Sequence, residues 1–167
     1  MEVPIFKSFG HFNLSIHLET LKHKVLNYYK QQTEDRIDAF RDMIAELTAD
    51  AANDAKGSAG DKHETALSMM HLEQEKLNHK LGEFIAQKGI LEKINPDAKT
   101  TKVAVGSLVK ANNMHLFVSA ALPKITIEGI TVIALSPQSP LGTKLMGMEM
   151  GGEFEISGTK YLIEEIY

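Results

Sequence analysis

The sequence predicts an α+β chain, with an N-terminal antiparallel two-helix coiled-coil hairpin followed by a C-terminal antiparallel β domain that carries one short helix. Apolar residues recur at three- and four-residue spacing from Leu14 to Ile94, and no proline interrupts that stretch. Beyond Asn95-Pro96 the apolar runs become short, rich in β-branched residues and separated by glycines or polar residues, which is strand texture.

Residues 1–13 form an N-terminal extension with an apolar start, Val3, Ile5, Phe6 and Phe9, placed to fold onto the hairpin base. The hairpin is assigned to residues 14–94. On its first arm Ile37, Phe40, Ile44, Leu47 and Ala51 step by three and four, after Leu18, Leu21, Val25 and Tyr28 in a similar phase, with a slip near Gln32. On the second arm Met70, Leu77, Phe84 and Leu91 are seven apart with Leu67 and Leu81 beside them, the seam a partner helix needs. A helix from His63 to Ile94 would be about 48 Å long at ~1.5 Å per residue. The tip falls near residues 55–64, where Gly57, Ser58 and Gly60 supply the conformations of a helix-to-helix turn. Asp61 is expected to cap the second helix, with Glu64 three residues on as its capping-box partner.

A linker at 95–101 leads to the β-rich domain at 102–167, read as about five strands drawn from the runs at 103–109, 116–118, 125–127, 130–135, 154–156 and 161–166. Ser139-Pro140-Leu141-Gly142 opens the short helix, with Ser139 as N-cap, Pro140 first in the helix and Gly147 ending it.

Composition narrows the chemistry. With 43% hydrophobic and 24% charged residues the 167-residue chain is an ordinary globular sequence. It has no cysteine, which excludes disulfides, thiolate zinc sites and cysteine nucleophiles. The net charge is −4, and residues 1–99 hold 13 Lys and Arg against 16 Asp and Glu, so no sequence-specific DNA-binding body is expected. There is no long apolar span and no signal-peptide pattern at the start, so a cytoplasmic location without membrane contact is expected. His63, His71 and His79 fit a solvated stripe better than a metal site. Met69, Met70, Met146, Met148 and Met150 fit packing and rim positions. Ser107, Ser136 and Ser139 lack the surroundings of a nucleophile elbow.

Two separated regions match one family in order. At the tip stands Gly60-Asp61-Lys62-His63-Glu64, followed by Ala66 and by Glu73-Gln74. In the C-terminal half come Val105-Gly106-Ser107-Leu108-Val109, Ser139-Pro140-Leu141-Gly142 through Leu145-Met146-Gly147, Gly151-Gly152-Glu153, and Tyr161 to Ile166. Over residues 14–167 the chain resembles the bacterial Gre transcript-cleavage factors. The resemblance implies a C-terminal domain of the FK506-binding-protein type and RNA polymerase as partner, entered through its secondary channel. It implies that Asp61 and Glu64 are lent as Mg²⁺ ligands for cleavage of backtracked RNA. The factor is then no enzyme itself, holds no tightly bound metal when free and meets the nascent RNA only indirectly. The globular domain would dock at the channel rim, and Ser139, Pro140, Leu141 and Gly142 are assigned to that docking surface.

The chain departs from the family pattern at Thr65 and Ser68, where an asparagine and a tyrosine are usual, and its first arm has no dense basic patch. These departures keep a second reading open, a channel-binding regulator without cleavage. A prolyl isomerase would need an aromatic-lined pocket built from Phe117, Phe154 and Tyr161. A coiled-coil adaptor without polymerase contact would tolerate replacement of Asp61 and Glu64.

Overall fold

The structure is a computed structural model that describes the backbone of residues 8–54, 56–57 and 60–167 and the side chains of 21–54, 56–57, 60 and 62–167. The expected role of Val3, Ile5, Phe6 and Phe9, and the phase of Leu18, lie outside the described side chains. Helix α1 runs Ser8–Asp54 and α2 runs Asp61–Glu92, so α1 reaches back into the segment expected to be an extension. The chain forms two compact units, one of residues 30–89 and one of residues 1–29 with 90–167.

In the 30–89 unit the two helices pack antiparallel, since Glu34 pairs with Lys88 while Thr48, further along α1, accepts a 2.7 Å hydrogen bond from Gln74, further back on α2. The seam follows the spacing of the apolar residues: Ile37 and Phe84 are buried, and Phe40, Ile44, Leu47, Met70, Leu77 and Leu81 are half-buried. Phe84 anchors it. Phe40 meets its ring edge-on at 5.1 Å, and the cations of Arg36 and Lys80 each lie 5.5 Å from its centre. Gly82 sits inside α2 with open space where a Cβ would stand. A Gly82→Ala substitution is therefore expected to raise the stability of this unit by ~0.5–1 kcal/mol, because it removes unfolded-state freedom without a clash. Chemical denaturation checks this, and a loss of stability would contradict the open space.

The other unit is built on six strands: β1 (Leu108–Ala111), β2 (Met114–Val118), β3 (Ile125–Ile127), β4 (Ile130–Leu135), β5 (Glu153–Ile156) and β6 (Thr159–Ile166), in the order β3-β4-β2-β1-β6-β5. The expected wholly antiparallel sheet of about five strands is corrected here. The sheet is mixed, because β4 lies parallel to β2, with His115 opposite Val132 and Val118 opposite Leu135. Glu128 and Gly129 take φ of 52° and 80°, a tight two-residue hairpin turn that joins β3 to β4 as antiparallel neighbours, and β4 rather than β3 takes the place beside β2. Val103 and Val105 belong to no strand. Only an isolated bridge, Lys102 to Glu149, continues the pairing there.

Alternation along the strands separates two cores. On one face Leu108, Phe117, Val132 and Ala134 receive Leu21, Val25, Leu26 and Tyr29 of α1 with Leu91 of α2 and Ile94 just beyond it, so the hairpin's base is part of the sheet domain's core. Tyr29 stacks on Phe117 at 6.2 Å and donates its hydroxyl to the Pro123 carbonyl at 2.7 Å. Burial, assisted by the neighbouring Tyr28, pushes the Tyr29 phenol up to about 12. On the opposite face Val109, Ala111, Leu116, Val118 and Ile163 pack with Phe154 and with Leu145 of α3 (Pro140–Leu145).

Candidate functional site

The tip is built by the end of α1 and the start of α2. Beyond Asp54 the chain turns on bonds from Lys56 N–H to the Asn53 carbonyl (3.2 Å) and from Gly57 N–H to the Asp54 carbonyl (3.0 Å). The next helix opens at Gly60, whose carbonyl accepts from the N–H groups of His63 (2.9 Å) and Glu64 (3.3 Å). Gly60 therefore holds the N-cap position, and Asp61 is the first helical residue, one step inside its expected place. The reason is chemical: glycine is acceptable at an N-cap, so Gly60-Asp61 offers two adjacent candidates. The Asp61 side chain lies outside the described residues. Its position in the first turn still favours a carboxylate, since the unpaired amides there carry partial positive charge.

This shift matters for Glu64. It is no longer three residues from the cap, where it would close a capping box. Its side chain is exposed and makes no hydrogen bond or ion pair among the described residues. Positions 61 and 64 remain three apart on one helix face. Around Glu64 a shallow open depression is lined by Lys62, Thr65 and Ser68. Carboxylate oxygens are hard anionic donors suited to Mg²⁺, which commonly takes one or two from a protein and fills its remaining positions with water or phosphate. The tip fits that role as an incomplete site. Among the described residues no three His, Asp or Glu side chains cluster as a metal group.

His63 differs from the solvated stripe expected of it. His71 and His79 are exposed, but His63 is half-buried, its Cε1 lies 3.9 Å from where a Cβ on Gly57 would stand, and its Nε2 is buried without a hydrogen-bond partner among the described residues. It packs between the two sides of the turn. Helical spacing alone puts it in line with His71, and only closure of the tip covers it.

The residues assigned to docking open α3. Ser139 caps the helix: its Oγ accepts from the Gly142 N–H at 3.0 Å and donates to the Ser136 carbonyl at 2.7 Å. Pro140 is exposed and Leu141 half-buried against the core. Gly142 is buried, and a Cβ there would stand 2.0 Å from the Ser136 carbonyl oxygen. It lets α3 close against the preceding loop. Gly142→Ala is expected to destabilise this unit by about 1–3 kcal/mol or more, read as a lower thermal midpoint. An unchanged midpoint would show that the loop yields freely. Beside Pro140, a small groove continues through Leu141, Lys144, Glu155, Ile156 and Ser157.

Sequence reasoning passed over Lys22. It is 3% exposed and donates from Nζ to the Ala98 carbonyl at 3.0 Å. The signal was present, since Lys22 follows Leu21 and stands four residues after Leu18 and three before Val25, inside an apolar stripe where a lysine must find a built partner. No protein-family model matches this chain, and no curated protein matches it.

Proposed function

We propose that this chain is a Gre-type factor that binds RNA polymerase through its secondary channel and stimulates cleavage of backtracked RNA, its sheet domain being of the FK506-binding-protein type. The observation that carries the reading is Glu64, an exposed carboxylate without a partner among the described residues at the end of a two-helix hairpin, three residues after Asp61 in the family's tip pattern. The Val105–Val109, Ser139–Gly147 and Gly151–Glu153 matches in the second half support it independently.

In this reading the chain's own residues position and lend. Packed helices are stiff, so a carboxylate at their end is placed with little entropy lost on binding. Glu64, with Asp61, offers oxygen ligands that the polymerase's own site completes. Glu64 and Asp61 would be this chain's share of the ligands of a Mg²⁺ there, and that ion would supply charge stabilisation for an in-line displacement at the polymerase's own centre. The exposed depression beside Glu64 leaves room for water or a phosphate oxygen.

A second reading, a channel occupant that regulates without cleavage, is favoured by Thr65 and Ser68, which line that depression in place of the family's usual residues. The isomerase reading is disfavoured, because Phe117 and Phe154 are consumed by packing, Phe117 against Tyr29 and Phe154 against Tyr161 at 5.5 Å. The test is a backtracked elongation complex with RNA polymerase from the same source. Binding with faster shortening of the RNA 3′ end supports the proposal, binding without shortening supports the channel occupant, and absence of binding rejects both.

A further inference from the structure

The apolar seam of α2 ends on a polar residue. Met70, Leu77 and Phe84 stand seven apart on the side of α2 that packs against α1, and one further step of seven towards the tip falls on His63. The structure keeps it on that side. His63 is half-buried, and its Cε1 approaches Gly57 across the turn, 3.9 Å from where a Cβ there would stand. Its neighbours in sequence, Lys62 and Glu64, are exposed.

The ring contributes volume rather than hydrogen bonding through its inner nitrogen. Nε2 is buried and has no partner among the described residues, a cost that an apolar side chain of similar size would not carry. The main-chain bonds of the tip each stay on one side of the turn: Gly57 N–H reaches the Asp54 carbonyl, and the N–H groups of His63 and Glu64 reach the Gly60 carbonyl. The approach of His63 to Gly57 crosses it. A helix turns ~100° per residue, so seating position 63 against the end of α1 fixes position 64 at ~100° from it, and position 61 at ~60° from 64.

We infer that His63 is the positioning residue of the tip: its ring wedges the first turn of α2 against the end of α1 and thereby sets the direction in which Glu64 projects. The consequence for RNA cleavage rests on the function proposed above. The wedge itself does not.

The test begins on the free full chain, by amide hydrogen exchange at Gly57, His63 and Glu64. His63→Ala empties the position and is expected to speed exchange at these three amides about tenfold while leaving Phe84 unchanged. His63→Leu refills it without a nitrogen and should hold exchange within about threefold of wild type. In a backtracked complex at saturating protein, His63→Ala should need about threefold or more Mg²⁺ for half-maximal RNA shortening, and His63→Leu should match wild type. A loss of stability alone would not move that Mg²⁺ requirement, because folded protein saturates the complex. Unchanged exchange in His63→Ala, exchange as fast in His63→Leu as in His63→Ala, or an unaltered Mg²⁺ requirement in an active His63→Ala would each overturn the inference. A wild-type chain that leaves the RNA uncut would reject the cleavage reading alone, and the exchange results would then decide the wedge.

Discussion

Replacing Asp61 and Glu64 together by alanine is expected to slow stimulated RNA shortening about a hundredfold or more while changing polymerase affinity less than about threefold. The two effects separate because Glu64 contributes nothing visible to the fold. It is exposed, it has no partner among the described residues, and the helix start is closed by the Gly60 carbonyl. Removing its carboxylate therefore deletes a ligand and leaves the hairpin standing. Asp61 at the first helical position adds at most the modest helix-dipole contribution of a surface carboxylate, ~0.3–1 kcal/mol. Parallel loss of binding and shortening would instead mean that these acids hold the hairpin or its contact with polymerase together.

Phe117→Ala is expected to destabilise the sheet-bearing unit by about 3–5 kcal/mol, enough to unfold a marginal domain. Phe117 is fully buried, lies flat against Tyr29 with 2° between the rings, and sits among residues from both ends of the hairpin and from β1 and β4. Truncation would leave a cavity where Leu21, Val25 and Leu91 meet the sheet, and rigid helices and strands close such a space poorly. Thermal and denaturant unfolding read this directly. A change below about 1 kcal/mol would show that the hairpin base is not rooted in this core.

Much of the architecture is legible in the sequence because it rests on short-range periodicity. Ile37, Phe40 and Ile44 against Leu77, Leu81 and Phe84 announce a helix seam by spacing alone, and that seam is the one formed. The Ser139 cap and Pro140 start are legible for the same reason, since a cap is a contact over three residues. The parallel placement of β4 is not, because pairing Val132 with His115 depends on which side of β2 the hairpin folds back, and no local signal carries that choice. Lys22 was hidden by its own chemistry. A lysine reads as surface, yet the Ala98 carbonyl that receives it is 76 residues away. At the tip the residue types were legible and their register was not, because glycine and aspartate compete for the same cap.

Glu64→Gln tests the central claim most directly, because it keeps the shape of the side chain and removes the charge that a metal requires. RNA shortening in a backtracked complex would be measured against Mg²⁺ concentration with wild type and with this variant, at saturating protein. If Glu64 lends a ligand, the variant should need about tenfold or more Mg²⁺ to reach half its maximal rate, and added Mg²⁺ should recover part of the loss. Superimposable Mg²⁺ curves for the two proteins would contradict the account and leave the tip as an occupant of the channel.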